Sequence, residues 1–484
     1  MHLFDFVRVG SVALIVALSP ATRSGAAEAL PPAPALADAK EGAFRHLQAF
    51  QEIATANGGT RASGTPGYDR SADYVAEKLK AAGYVVRFEE FEFPYFEDRT
   101  PPVLSITQAP EAEAGVRTLT NSGSAEVTAP LRSVKLALTD TPAASTSGCD
   151  AHDFDGFARG AIALIRRGTC TFQVKAENAV AAGAVGVVIM NEGTAGRTDD
   201  FSGLLNKTVA IPVVGIAYDR GRALERRLSA GTVTAHLAVD AIAGTRSSRN
   251  VITEPQSQGG GPLIVVGAHL DSVPEGPGIN DNGSGSAAVL DAALVLADAF
   301  HRAPGNVQFA FWGAEERGLV GSRHHVDALT EDERGKIGVY INLDMVGSPN
   351  FARFVQRSPE ADSELAASVR QKLVAEFKDR SVPVEERSGG RTGTDDAAFF
   401  QKGIPTVGLH TGAGAPKSQA QADLFGGTAG KPFDACYHKA CDTTANIDRG
   451  ALEENARTLV RVLEAVLPRT AGAGDAKAAA PEPQ

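Results

Sequence analysis

The stretch from Leu263 to Ser286, LIVVGAHLDSVPEGPGINDNGSGS, constrains this chain more than any other. Its apolar run Leu263–Val266 reads as a buried strand ending in Gly267-Ala268-His269-Leu270-Asp271. A loop rich in Gly and Pro then delivers Asp281, twelve positions after His269, just ahead of a helix that starts near Ser284. Polar residues at the C-terminal end of a central strand in an open α/β sheet lie in the crevice where such folds place their ligands. His and Asp are both metal-ligand types. Asp271, two residues past His269, faces the same way in an extended chain and can hold the imidazole. The plainer reading of the stretch alone is an accidental His at a strand end followed by a turn Asp.

The neighbouring elements repeat the pattern. Strands at Val307–Phe311, Val339–Leu343 and Thr406–Leu409 alternate with helices at Ser286–Ala299, Ser363–Asp379 and Ala451–Leu467. This rhythm predicts an α/β fold with a mostly parallel central sheet covered by helices on both faces. The first of these strands runs into Trp312-Gly313-Ala314-Glu315-Glu316, and the second ends in Asp344, a carboxylate that is costly at a buried strand end unless paired or metal-bound. Cys436-Tyr437-His438-Lys439-Ala440-Cys441 holds a Tyr and a His inside a short loop. Together these positions supply five oxygen and nitrogen ligands and a spare Glu, a set that suits a two-metal hydrolytic site.

Composition narrows the compartment and the partners. At 484 residues with 43% apolar content the chain is long enough for two globular domains, and its net charge of −11 comes without a block of like charge, so it shows no footprint for nucleic acid or an anionic membrane. Arg8, the apolar run Val9–Leu18 and the small residues Ser24–Ala27 have the layout of a secretory signal peptide over residues 1–27. No later apolar run reads as long enough to span a bilayer, so the expectation is a soluble, exported protein, secreted or periplasmic. Four cysteines suit that compartment. Three pairings are possible, and the two local ones, Cys149 with Cys170 and Cys436 with Cys441, need the least loop closure.

Between the first helices (Glu41–Ala56 and Asp69–Ala82, followed by a strand at Val85–Phe93) and the sheet just described lies a Thr/Ser/Ala-rich block of short strands. Strands at Ala161–Ile165, Val185–Met190, Ile211–Ile216 and Thr234–Val239 flank a helix at Phe172–Ala182. The block resembles the protease-associated domain, through Gly148-Cys149-Asp150, the run Arg166 to Phe172 and the Ala-Gly-Ala helix end at Ala182–Ala184. It holds no cluster of chemically competent side chains and reads as a lid or spacer. The expected organisation is a signal peptide at 1–27, the start of the domain that carries the candidate ligands at 28–105, the inserted α+β block at 106–243, the main part of that ligand-bearing domain at 244–469 and a disordered tail at 470–484.

The motifs HLDSV with GINDNGSG, WGAEERGLVGS, NLDMVGS, TGTDDAAF, TGAGAPKSQAQ with FGGTAGKPFD, and CYHKACDT, in that order, resemble the co-catalytic dizinc aminopeptidases, the group of aminopeptidase Y, the secreted bacterial leucyl-type aminopeptidases and glutamate carboxypeptidase. The resemblance covers about Phe44 to Leu467 and implies a three-layer zinc-exopeptidase fold. It implies two zinc ions per chain, with Asp281 bridging them, His269 and Asp344 completing one and Glu316 and His438 the other. It makes Glu315 the general base on a water activated by the two ions, Tyr437 a hydrogen-bond donor to the tetrahedral oxyanion, and Asp271 the partner of His269. It also implies a cis peptide at Asp281-Asn282, and as substrate a peptide with a free N-terminus. Two positions depart from the group: no Arg directly precedes Thr394-Asp395 (Arg391 stands three residues before Thr394), and His410-Thr411-Gly412 replaces the usual Phe-Thr-Gly. Within the same fold the alternatives are a glutamate-carboxypeptidase-like exopeptidase, which would gather basic residues for a C-terminal carboxylate, a glutaminyl cyclase with a single zinc, and a binding relative that has lost catalysis.

Overall fold

Our computed structural model describes residues 42–466, apart from 108, 113–114, 137–144, 195, 256–260, 303–305, 358–362 and 389–392. The expected signal peptide, Arg391 and the tail from 470 lie outside the described residues.

Four strands, Thr406–His410, Ile337–Leu343, Leu263–His269 and Val307–Trp312, lie side by side and parallel. Their composition explains their place. After Leu263, every residue of the His269 strand is buried. Ile264, Val266 and Ala268 face a large core built with the helices Ala43–Ala56, Pro66–Ala81, Gly285–Arg302, Glu364–Asp379 and Arg449–Val466. Val265, on the opposite face, meets Trp312, Val326, Tyr340 and Phe399 under two shorter helices, Val320–Ala328 and Asp396–Phe400. A strand apolar on both faces can only sit between two helical layers. The result is the three-layer α/β arrangement expected from the sequence.

Antiparallel strands flank the parallel four. Phe354–Arg357 runs against Thr406–His410, with Glu385–Ser388 beyond it, and Thr234–Thr253 runs against Val307–Trp312. The two outer strands, 354–357 and 385–388, were not anticipated, being only four residues each. Helix Gly285–Arg302 packs hard against the sheet: a Cβ on Gly285 would lie 2.3 Å from the Leu343 carbonyl oxygen. The segment Ile279–Phe300 is, by length and composition, apolar enough to cross a membrane, contrary to the expectation that none would be. Yet 83% of its most apolar window is buried in the protein, as befits a core helix.

The principal difference from the sequence reading lies in the connections to the inserted block. Val85–Phe93 and Thr234–Val239 read as separate short strands, but the structure contains two strands of about twenty residues, Val86–Ile106 and Thr234–Thr253, paired antiparallel from Val86↔Thr253 to Ile106↔Ala235. Pro101-Pro102 lie within this ladder. The ladder accommodates them through register shifts between Asp98 and Val103, where no donor is demanded of proline. One end of this ribbon joins the sheet that holds His269 and the other pairs with Ala125–Ser133, which leads into the parallel strands Ile162–Arg166, Gly186–Met190 and Val213–Ile216. The block has two apolar cores of its own, one on each face of that sheet. An unanticipated helix, Tyr218–Ala230, closes one face with only Tyr218, Gly221 and Leu224 buried, which is why its Arg-rich sequence gave little periodic signal. Both disulfides form as the local pairs, Cys149–Cys170 and Cys436–Cys441.

Candidate active site and metal centre

Parallel strands end on the same edge, and that edge collects the chemistry. His269 closes its strand, Glu315 and Glu316 follow the strand ending at Trp312, and Asp344 follows the strand ending at Leu343. His269 Nε2 lies 3.3 Å from Asp281 Oδ1 and 3.5 Å from Asp344 Oδ1. His438 Nε2 lies 3.0 Å from Asp281 Oδ2 and 3.2 Å from Glu316 Oε2. Two groups of potential ligands therefore share one carboxylate: His269, Asp281 and Asp344 on one side, and Asp281, Glu316 and His438 on the other. Glu315 stands 3.9 Å from His269 Nε2. These side chains line a cavity of about 550 Å³ together with Met345, Gln356, Ser388, Thr394, Asp396 and His410.

Hydrogen bonds from the flanking residues fix the loops. Asn282 accepts from the backbone of Gly285 and Met345 and donates to the Leu343 carbonyl, tying the Asp281 loop to the Asp344 loop. Asp442 accepts the backbone N–H groups of Asn280 and Asp281 at 2.9 and 3.0 Å, tying the same loop to the segment that carries His438. Asp434 accepts from Asn280, Asn446 and the Cys436 backbone. On the third side, Ser63 accepts from Ala314 N–H and Asp271 Oδ1 from Glu315 N–H. The peptide Asp281-Asn282 is cis, as the resemblance implied. Ala314, Leu319, Met345 and His438 all have positive φ without being glycine, so non-glycine left-handed backbone gathers around this cavity.

The expected partner of His269 is present in a modified form. His269 Nδ1 is 3.2 Å from the backbone carbonyl of Asp271 and 3.7 Å from its carboxylate Oδ1, and that carboxylate is fully buried and held by the Glu315 amide. The Tyr437 ring stacks on the His438 ring, with centroids 3.9 Å apart. His410, where the group usually has Phe, donates from Nδ1 to the Asp344 carbonyl at 2.6 Å and so faces the cavity as a polar wall. The residues that sequence reasoning missed are the ones that hold these loops by hydrogen bonds: Ser63, Asn280, Asn282, Asp434 and Asp442. Asn280 and Asn282 flank Asp281 in the GINDNGS run, and Asp442 follows Cys441, so their neighbourhood was marked although their roles were not.

The electrostatics describe a site short of positive charge. Burial pushes the Glu315 carboxyl well above its usual range, opposed by His269 and reinforced by Glu316, Asp395 and Asp344. Burial likewise raises Glu316 to about 7, with the Asp281 charge adding. His438 rises to about 10 because its contacts with Asp281 and Glu316 outweigh the opposing effect of burial. Burial, followed by the surrounding carboxylates, raises the Tyr437 phenol, which keeps it a donor. Glu316 Oε1 and Asp344 Oδ1 are buried with no hydrogen-bond donor. A nest of acceptors facing one another across 3–4 Å, with two imidazoles, fits divalent cations of the kind that take mixed nitrogen and oxygen ligands.

The comparisons with known proteins agree with this arrangement. The model of peptidase family M28 matches residues 250–463, and that of the PA domain matches residues 127–224. An aminopeptidase of Pseudomonas aeruginosa is 44% identical over 84% of this chain and 77% of its own length. The "Probable lipoprotein aminopeptidase LpqL" of Mycobacterium tuberculosis is 39% identical over 85% of this chain and 81% of its own. Among solved structures, a zinc aminopeptidase from Bacillus subtilis superposes with a TM-score of 0.64 at 26% identity, covering 90% of this chain and 97% of that one. The chain belongs to peptidase family M28 and is a metal-dependent aminopeptidase that carries a PA domain.

Proposed function

We propose that the cavity holds two zinc ions and that the chain is an exported enzyme releasing N-terminal residues from peptides. The observation that carries the reading is the sharing of Asp281 between two ligand groups. His269, Asp281 and Asp344 would hold one ion, and Asp281, Glu316 and His438 the other. Bound there, zinc supplies Lewis acidity, which lowers the pKa of a water and favours negative charge on the scissile carbonyl oxygen.

The chain's own residues do the rest. Glu315, aimed at the cavity but left over from both ligand groups that contain Asp281, takes a proton from the attacking water and returns it to the departing amine. Tyr437, kept protonated by burial, donates to the developing oxyanion. Asp271 holds His269 through its main chain and Glu315 through its carboxylate, so one residue orients a ligand and the base together. Export is supported by two disulfides and by the lipoprotein relative. The inserted block would act as a cover or spacer, since the residues assigned to chemistry all lie in the peptidase part. A panel of peptides with free and blocked N-termini, assayed with and without a strong chelator, tests the reading. Hydrolysis of free N-termini alone, lost with chelator and restored by zinc, is expected. Cleavage of N-terminally blocked peptides from their C-termini would favour the carboxypeptidase alternative.

A further inference from the structure

The loop from Leu270 to Gly278 separates His269 from Asp281 and contains two glycines and two prolines. Nothing in that composition sets the distance between its ends. One restraint on both ends comes from Arg61, which lies about two hundred residues earlier and is fully buried. Its guanidinium donates to three backbone carbonyls of this one loop: Nη1 to Leu270, Nε to Pro277 at 2.8 Å and Nη2 to Gly278 at 2.5 Å. Leu270 immediately follows His269, and Gly278 stands three residues before Asp281. The fork therefore grips both ends of the loop.

Arg61 is itself fixed. Its backbone N–H donates to Ser272 Oγ at 3.0 Å, its carbonyl accepts from the Ser272 amide, and its guanidinium lies 5.0 Å from the centre of the Phe50 ring. Gly278 has a left-handed φ of 57°, and a Cβ there would lie 2.3 Å from the Asp281 carbonyl oxygen, so the gripped end of the loop is tightly folded back.

We propose that Arg61 is a positioning residue that sets the separation of His269 and Asp281 by clamping both ends of the loop between them. The proposal rests on the reading of these two residues as zinc ligands. Only a planar donor set satisfies three carbonyls in this geometry. A lysine offers a single point of charge on a flexible stem, and an apolar side chain takes their donor from the buried Leu270 and Pro277 carbonyls and leaves Gly278 O with the Gly283 N–H alone. The segment preceding the inserted block thus completes a site whose ligands all follow that block.

The test uses the full chain carrying Arg61→Lys beside the parent. Metal-free protein is titrated with zinc against a chromophoric chelator, loaded with cobalt for its visible spectrum, and melted in the metal-free form. Loss of a residue that orients metal ligands typically weakens metal binding about ten- to a hundredfold. We expect that weakening in Arg61→Lys, a shifted cobalt spectrum and a fall in kcat with KM near the parent's, while the metal-free melting temperature changes by only a few degrees. Parent-like zinc affinity together with a parent-like cobalt spectrum overturns the proposal. If Arg61→Lys does not fold, Arg61→Gln, which keeps the main-chain contacts with Ser272 and replaces the guanidinium fork by a single shorter amide, carries the same test: weaker zinc binding in the folded variant supports the clamp, and unchanged binding overturns it. A parent chain that binds no zinc overturns the ligand reading, and the clamp with it.

Discussion

The carboxylate of Asp442 receives the backbone N–H of Asp281 at 3.0 Å, and its other oxygen takes the Asn280 N–H at 2.9 Å. The residue shared by both ligand groups is thereby held by the segment that supplies His438, so the two halves of the site are not independent. Asp442→Asn keeps one acceptor and leaves one buried N–H without a partner, a defect worth about 1–3 kcal/mol. The expected result is a lower melting temperature and weaker zinc binding. A mutant that melts lower yet binds zinc as tightly as the parent would show that the pair serves folding alone.

Glu315→Gln retains shape and removes the proposed base. Turnover is expected to fall by about a hundredfold to ten-thousandfold, with zinc content unchanged. Zinc analysis of the purified mutant decides the assignment. If metal is lost instead, the roles given to Glu315 and Glu316 are reversed.

The two disulfides are expected to behave differently. Cys149–Cys170 spans 21 residues of separation and Cys436–Cys441 only 5. By loop entropy the first contributes about 3 kcal/mol and the second about 2 kcal/mol. Replacing the first pair by Ser should lower the melting temperature more, and replacing the second should weaken zinc at His438 and slow turnover more. Comparing melting temperature and rate for both double mutants tests this; a 436–441 mutant with normal turnover per folded molecule would make that bridge a structural staple.

The ribbon of the two long strands shows where the inserted block can be removed. Asp98 and Ala241 face each other across it, so joining them through a tight turn in place of residues 99–240 keeps the part paired with the peptidase sheet. The shortened chain should retain its zinc and its activity on short peptides, while its preference for peptide length broadens. Loss of zinc from a shortened chain with native-like circular dichroism would contradict this division of labour.

Much of this was legible in the sequence because it rests on local pattern. Buried strands such as Leu263–His269 and Ile337–Leu343 are apolar on both faces, and the polar residue that ends each one stands out against that background. The alternation of such strands with helices such as Gly285–Arg302 carried the three-layer fold. What could not be read depends on contacts between segments distant in the chain. Arg61 sits in a Gly-rich stretch that reads as a plain loop, and its partners lie more than two hundred residues away. The ribbon escaped notice for a related reason: its strands carry Pro94, Pro101, Pro102 and Gly244, which mark breaks locally, yet their long mutual ladder holds them extended. The strands Phe354–Arg357 and Glu385–Ser388 are too short for periodicity to speak.

The account turns on Asp281 joining two metal positions, and counting zinc tests it most directly. Native mass spectrometry of the folded chain, loaded with zinc and freed of excess, is expected to show two ions per chain, one ion in His438→Ala and none firmly held in Asp281→Ala. A parent chain that holds a single zinc, or an Asp281→Ala chain that still holds two, would contradict it.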